Sequence, residues 1–166
     1  MHAGFSTTSL CRESRHLVSI TVFDIQFIGA APELQDDGWF GLEGRIILAD
    51  SIECFIAPID LWQRTDYERQ WLEAAHRLLH GAERSAFFTE AHRDWWTMWR
   101  EGDDIYVHEE LLLGERHRGP YDLSTPYGLI GERHAHDSEH PPSEWRLTLA
   151  DIRAYVERRD PSVFPA

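Results

Sequence analysis

Hydrophobic and polar positions along this chain change period several times, and each change marks an element. Residues 17–28, LVSITVFDIQFI, are β-branched and aromatic, the composition of a strand packed on a core. PELQDDG supplies a turn, after which WFGLEGRIILAD and SIECFIAPI read as a second and third strand, joined in a hairpin at Asp50-Ser51. The period then lengthens. Tyr67, Trp71, Ala75, Leu78 and Leu79 fall on one helical stripe, with Thr65 and Glu68 spaced as a capping box and Gly81 as a left-handed stop. SAFFTEAH, DWWTMW and DIYVHEELLL follow, separated by charged or glycine-bearing turns, and predict an antiparallel meander. The next thirty or so residues have no period and hold Pro120, Pro126, Pro141 and Pro142. They predict loops with a short strand or turn at 127–132. SEWRLTL is a last strand. Thr148 with Asp151 then caps a C-terminal helix that buries Ile152, Tyr155 and Val156 and stops at Asp160-Pro161.

Strands, helix, strands, helix is the order of an α+β fold: a single domain, mainly antiparallel sheet, with a central and a C-terminal helix. A length of 166 residues suits one domain. Residues 1–15, MHAGFSTTSLCRESR, carry no period and are expected as a loose leader, with 16–166 as the domain. The 42% hydrophobic content can fill a core and excludes wholesale disorder. No apolar run reaches the length of a membrane span, and the N-terminus has no signal-peptide h-region, so the expected compartment is the cytoplasm. Cys11 and Cys54 are too few for a disulfide framework or a thiolate zinc site, and Cys54 in IECFIA is expected in the core.

Charge sharpens the functional reading. The formal net charge is -13, and all sixteen basic residues are arginine. Such a balance disfavours nucleic acid as a direct ligand, and it favours solubility and encounter with a basic protein. Between Glu101 and Glu115 there are six carboxylates and no Lys or Arg, just after Trp95, Trp96 and Trp99. Strand alternation there sets Ile105, Val107, Leu111 and Leu113 against Asp104, Tyr106, His108 and Glu110, a negative, aromatic-flanked face. Asp103, Asp104, Tyr106, His108 and Glu110 are therefore the first candidates for partner contact. Glu132, His134, His136 and Asp137 come second. An earlier acidic block, Asp36, Asp37, Glu43, Asp50 and Glu53, has Arg45 as its only cation.

Bond-breaking chemistry is poorly supplied. RHAHDSEH, with His134, His136, Asp137, Glu139 and His140, could gather around zinc, which keeps a small metal-dependent hydrolase as the alternative. Asp137 directly follows the second His, however, which departs from the His-x-His-x-Asp-His order of metallo-β-lactamase-type hydrolases. Ser85, Ser124 and Ser143 lie outside any Gly-x-Ser-x-Gly elbow, and Gly128 and Gly131 form no phosphate loop. Glu109-Glu110 and Asp103-Asp104 are neighbours whose side chains leave a strand on opposite faces, so neither pair is a dyad. No catalytic residue and no cofactor is expected.

One series of segments is familiar as a whole. WLEAAHRLLHG, SAFFTEAH, WWTMWREGDDIYVHEELLL, PYGLIGER and SEWRLTLADIRAYVE occur in this order from Trp71 to Glu157. The series resembles the CdiI-type immunity proteins of bacterial contact-dependent growth inhibition systems. The resemblance implies a cytoplasmic, non-enzymatic binder of the toxin domain delivered by a neighbouring cell, usually a nuclease, held in a tight one-to-one complex. On that reading the partner is a cognate basic toxin domain.

Overall fold

The computed structural model describes residues 22–60, 62–90, 94–111, 126–133 and 143–160. The expected leader at 1–15, the start of the first predicted strand, and His134, His136 and Asp137 lie outside them. The described chain forms an α+β fold in which two antiparallel sheets and two helices share a core. The expected sheet is thus divided in two.

The first sheet contains β1 (Phe23–Phe27), β2 (Glu33–Leu34), β3 (Phe40–Leu48) and β4 (Ser51–Pro58). β3 is central, with β4 along one edge and β1 and the short β2 sharing the other. The β3–β4 hairpin turns at Ala49-Asp50, one residue earlier than expected, and Ala49 takes the left-handed conformation (φ 56°). β2 falls inside the segment expected as a plain turn. Two residues make a strand only because β3 extends past β1 and offers Phe40 and Gly41 as partners. Cys54 lies half-buried on β4 rather than in the core.

The second sheet is the predicted meander, β5 (Arg84–Glu90), β6 (Asp94–Glu101) and β7 (Asp104–Leu111), closed by β8 (Glu144–Thr148) beside β7. The central helix α1 (Arg64–Leu79) joins the sheets, and α2 (Leu149–Arg159) follows β8. α1 starts one capping box earlier than Thr65 and Glu68 suggest. Gln63 is the N-cap, and its N–H donates to the Asp66 carboxylate at 2.9 Å. At the other end Gly81 (φ 98°) closes a Schellman turn, Ala82 N–H reaching Arg77 O and Gly81 N–H reaching Leu78 O. Thr148 and Asp151 cap α2 as expected.

The inward residues of both sheets meet the helices in one core. Phe23, Ile25 and Phe27 of β1 and Ile46 and Leu48 of β3 lie against Trp71, Leu78, Phe87, Met98, Ile105 and Tyr155. Burial of each such side chain contributes about 1.5–3 kcal/mol.

α1 also seals an edge. The 83–100 pair is hydrogen-bonded, so along β5 the backbone groups of Ala86 and Phe88 point away from β6. The buried Gln70 amide supplies what a neighbouring strand would: Nε2 donates to Ala86 O at 2.7 Å and Oε1 accepts from Phe88 N–H at 3.0 Å. Trp71 Nε1 donates to Phe88 O at 2.8 Å. The β5 edge is thereby closed to pairing.

Candidate partner-binding face

Strand parity on β7 works as the sequence suggests. Ile105 and Val107 enter the main core, and Asp104, Tyr106, His108 and Glu110 share the opposite face. Across the ladder these four meet Glu101, Trp99, Thr97 and Trp95 of β6. On the other side Asp104, Tyr106 and His108 meet Thr148, Arg146 and Glu144 of β8. The face has its own small apolar cluster of Ala86, Phe88, Trp95 and Trp99, covered by Ile130, with Tyr127 and Leu129 beside it. The segment 126–133, a 3-10 turn (Pro126–Leu129) followed by extended chain, thus straps the outer face.

The face is less negative than its sequence. Arg133, at the end of the strap, lies over the Tyr106 ring, its guanidinium carbon 3.3 Å from the ring centroid. It donates twice to Glu144, at 2.9 and 3.0 Å, and once to Glu101 at 2.8 Å. The Glu144 bonds come first among the causes that hold the Arg133 guanidinium above its ordinary range. Burial works to raise the Glu144 carboxyl, but bonds from Arg133 and His108 outweigh it and hold that carboxyl below the usual value. Asp104 accepts from Arg146 at 2.7 Å, and Glu132 pairs with Arg84.

His108 is 2% exposed. Its ring packs 4.8 Å from Trp99, and Nε2 lies 2.6 Å from Glu144 Oε2. The expected row of surface side chains is therefore interrupted at His108. Asp104, Tyr106 and Glu110 remain half-exposed on the face, and Asp103 is exposed in the β6–β7 turn.

A second group of carboxylates gathers at the far end of β7. Glu109 is the next residue after His108, on the opposite parity, and its carboxyl is raised by partial burial first and then by the negative charges of Asp94 and Glu53. These three come from β7, β6 and β4, so the early acidic block contributes one member, Glu53, to the vicinity of the later one. Among the described residues no ion pair engages Glu53, Glu109 or Glu110. The sequence reading passes over Arg133, Glu144 and Arg146, and weighs Glu109 only as one of an adjacent pair. Only the β7–β8 register brings Glu144 and Arg146 opposite the candidate face, and no local spacing announces it.

Among the described residues no three His, Cys, Asp or Glu side chains are grouped to hold a metal ion, and no helix is long and apolar enough to cross a membrane. The His-rich loop is outside those residues.

The family model described as the CdiI N-terminal domain matches residues 57–155, more than half the chain, from the end of β4 into α2. Among solved structures, a chain of the CdiA-CT/CdiI toxin and immunity complex from Enterobacter cloacae superposes with a TM-score of 0.71 at 22% identity. The match covers 83% of this chain and 98% of that one. At that identity the likeness concerns the fold. No curated protein matches the chain.

Proposed function

This chain belongs to the family of the CdiI N-terminal domain, as a CdiI-type immunity protein, and from that premise we propose that it neutralises a cognate basic toxin domain by one-to-one binding in the cytoplasm. The observation that carries the reading is the family match across α1 and the whole β5–β8 sheet and into α2. The toxin is proposed to be a nuclease, because a cleft that grips phosphates is lined with Lys and Arg, and carboxylates imitate the phosphate charge there. The protein acts by occupation and needs no cofactor, nucleic acid or membrane.

The charge pattern supports a division of labour on the proposed surface. Carboxylates already bonded to Arg133, Arg146 and Arg84 shape the face, while Glu53 and Glu109 have no ion pair among the described residues; Glu110, likewise without one, lies on the other face of the sheet. A basic residue of the toxin gains more at the second group, since it relieves like-charge repulsion instead of competing with an arginine. The proposed interface takes in Asp103, Asp104, Tyr106 and Glu110. His108 acts from beneath through Glu144, and Glu132 through Arg84. His134, His136 and Asp137, outside the described residues, are proposed as further contacts.

The test is co-expression with the toxin-like domain encoded upstream, followed by co-purification and assay on tRNA and DNA. Retention of that domain with loss of its activity is expected. Glu109→Arg with Glu110→Arg should slow association at low salt by at least about tenfold and abolish protection. Normal protection by that folded variant would remove the β7 end from the interface, and failure to retain the domain would remove the function.

A further inference from the structure

The first sheet has two sides, and both helices and the second sheet pack on the side that carries Leu42, Ile46, Leu48 and Ala57. By strand parity the outer side carries Glu43, Arg45 and Ile47 of β3 and Ile52, Cys54 and Ile56 of β4. There Arg45 stands opposite Cys54 and Ile47 opposite Ile52. Ile52 and Ile56 are 55% and 42% exposed. Toward the centre of the same side exposure falls, and Ile47, Arg45 and Cys54 are half-buried. Arg45 Nε is sealed from solvent and, among the described residues, has no hydrogen-bond partner. A buried donor of this kind calls for an acceptor. Cys54 is disulfide-bonded, and Cys11 is the one other cysteine of the chain.

The segment ahead of β1 starts from the right place to reach this side. Val22, just before β1, accepts from Ala49 N–H at 2.7 Å, at the hairpin end of the sheet that holds Ile47 and Ile52. Residues 1–21 can span up to about 70 Å when extended, against about 30 Å for β3. They hold Phe5, Leu10, Leu17, Val18 and Ile20, and Glu13 is their only carboxylate. We propose that residues 1–21 fold back over the outer side of the first sheet, with Cys11 bonded to Cys54, apolar side chains against Ile47, Ile52 and Ile56, and the Glu13 carboxylate accepting from Arg45 Nε. In an extended chain residues 11 and 13 point the same way, and Arg45 is the cross-strand neighbour of Cys54. The segment expected as a loose leader then belongs to the fold. The bond forms when the two thiols give up two protons and two electrons to a small-molecule disulfide, which leaves as two thiols. In a reducing compartment it opens, and packing with the Glu13–Arg45 pair holds the segment.

Two measurements on the full chain test this. After equilibration with oxidised glutathione and blocking of residual thiols, peptide mapping without reduction should join Cys11 to Cys54 within a monomer. Separate glutathione adducts or thiols left free overturn the proposal. A Cys54–Cys54 dimer also overturns it and assigns the face to a second copy. Under reduction, trypsin should cut after Arg15 at least about tenfold more slowly in the parent than in the Ile52→Asp, Ile56→Asp double variant. Both substituted positions are exposed, so the core is left as it is. Equal rates in the two folded proteins overturn the packing. Arg45→Gln carries the same test should the double variant unfold: cleavage after Arg15 is expected at least about threefold faster than in the parent. An unchanged rate overturns the Glu13–Arg45 contact.

Discussion

Gln70 is where a single side chain does the work of a strand, and two substitutions separate its chemistry from its bulk. The residue is 7% exposed, and its amide holds Ala86 O at 2.7 Å and Phe88 N–H at 3.0 Å. Gln70→Ala leaves both backbone groups without that partner at a site almost sealed from water. Each orphaned group costs about 1–3 kcal/mol, and water entering the vacated space recovers part of it, so a loss of about 2–4 kcal/mol is expected. Against a total stability of about 5–15 kcal/mol that is a large fraction. Gln70→Glu preserves shape but not donors. One oxygen of the introduced carboxyl still accepts from Phe88, while the other faces the Ala86 carbonyl and can bond to it only when protonated. Folding therefore favours the protonated form, and its folded pKa rises above the ordinary value near about 4.3. A group raised in this way stabilises at low pH, and the contribution is lost as pH climbs through the folded value. Urea unfolding at pH 5 and pH 8 provides the measurement. Relative to the parent protein, the Glu variant should lose at least about 1 kcal/mol more at pH 8 than at pH 5, and the Ala variant should lose equally at both. A Glu variant that is pH-independent, or an Ala variant within about 0.5 kcal/mol of the parent, would refute the idea that this amide closes the β5 edge.

Two carboxyls on β7 and β8 should respond to pH in opposite directions. Glu109 is raised by burial and by Asp94 and Glu53, so its charged form is the unfavourable one. Glu109→Gln should raise the melting temperature at pH 7, with the gain shrinking as pH falls toward the ordinary carboxylate range. The same variant should slow association with the toxin. Glu144 is held low by Arg133 and His108 despite burial, so its contribution is present above the ordinary carboxylate value and lost as pH drops through the folded one. Glu144→Gln should cost about 1 kcal/mol at pH 7, solvent screening keeping it near the surface-pair scale, and should flatten the acid limb of the stability profile. A variant as stable as the parent at pH 7 would show that Arg133 and His108 find other partners.

Elements whose cause is local were legible in the sequence, and those settled by a distant partner were not. The α1 stripe from Tyr67 to Leu78 and the Thr148–Asp151 cap depend on residues three and four apart, and both stand where the period placed them. The start of α1 was misread because the sequence offers two boxes of equal spacing. The approach from β4 decides between them: Ile59 N–H is tied to Phe40 O, and Tyr67 Oη donates to Pro58 O, so the chain enters the helix at Gln63. β2 is a strand only because β3 is longer than β1. Burial of His108 likewise has no local signal, since an alternating strand writes His108 and Tyr106 on one side with equal weight. Trp99 beside it and Glu144 above it make the difference.

The gap between sequence charge and surface charge carries the functional argument furthest. Six carboxylates in fifteen residues suggest a continuous negative ridge. In the fold Glu101, Glu144, Asp104 and Glu132 are each engaged by an arginine on the strap, on β8 or on β5. A toxin approaching that part of the face would have to displace a guanidinium already bonded and stacked, and would gain little by the exchange. At the other end of β7 the arithmetic reverses, because Glu109 is already unfavourably charged beside Asp94 and Glu53, and an incoming Lys or Arg removes the repulsion as it binds. On the proposed function, association driven from that end should slow as salt rises, and slow further when Glu109 loses its charge, whereas neutralising Glu144 should act on stability first. That ordering, with binding failing before folding at Glu109 and folding before binding at Glu144, is what a surface built to answer an external cation requires.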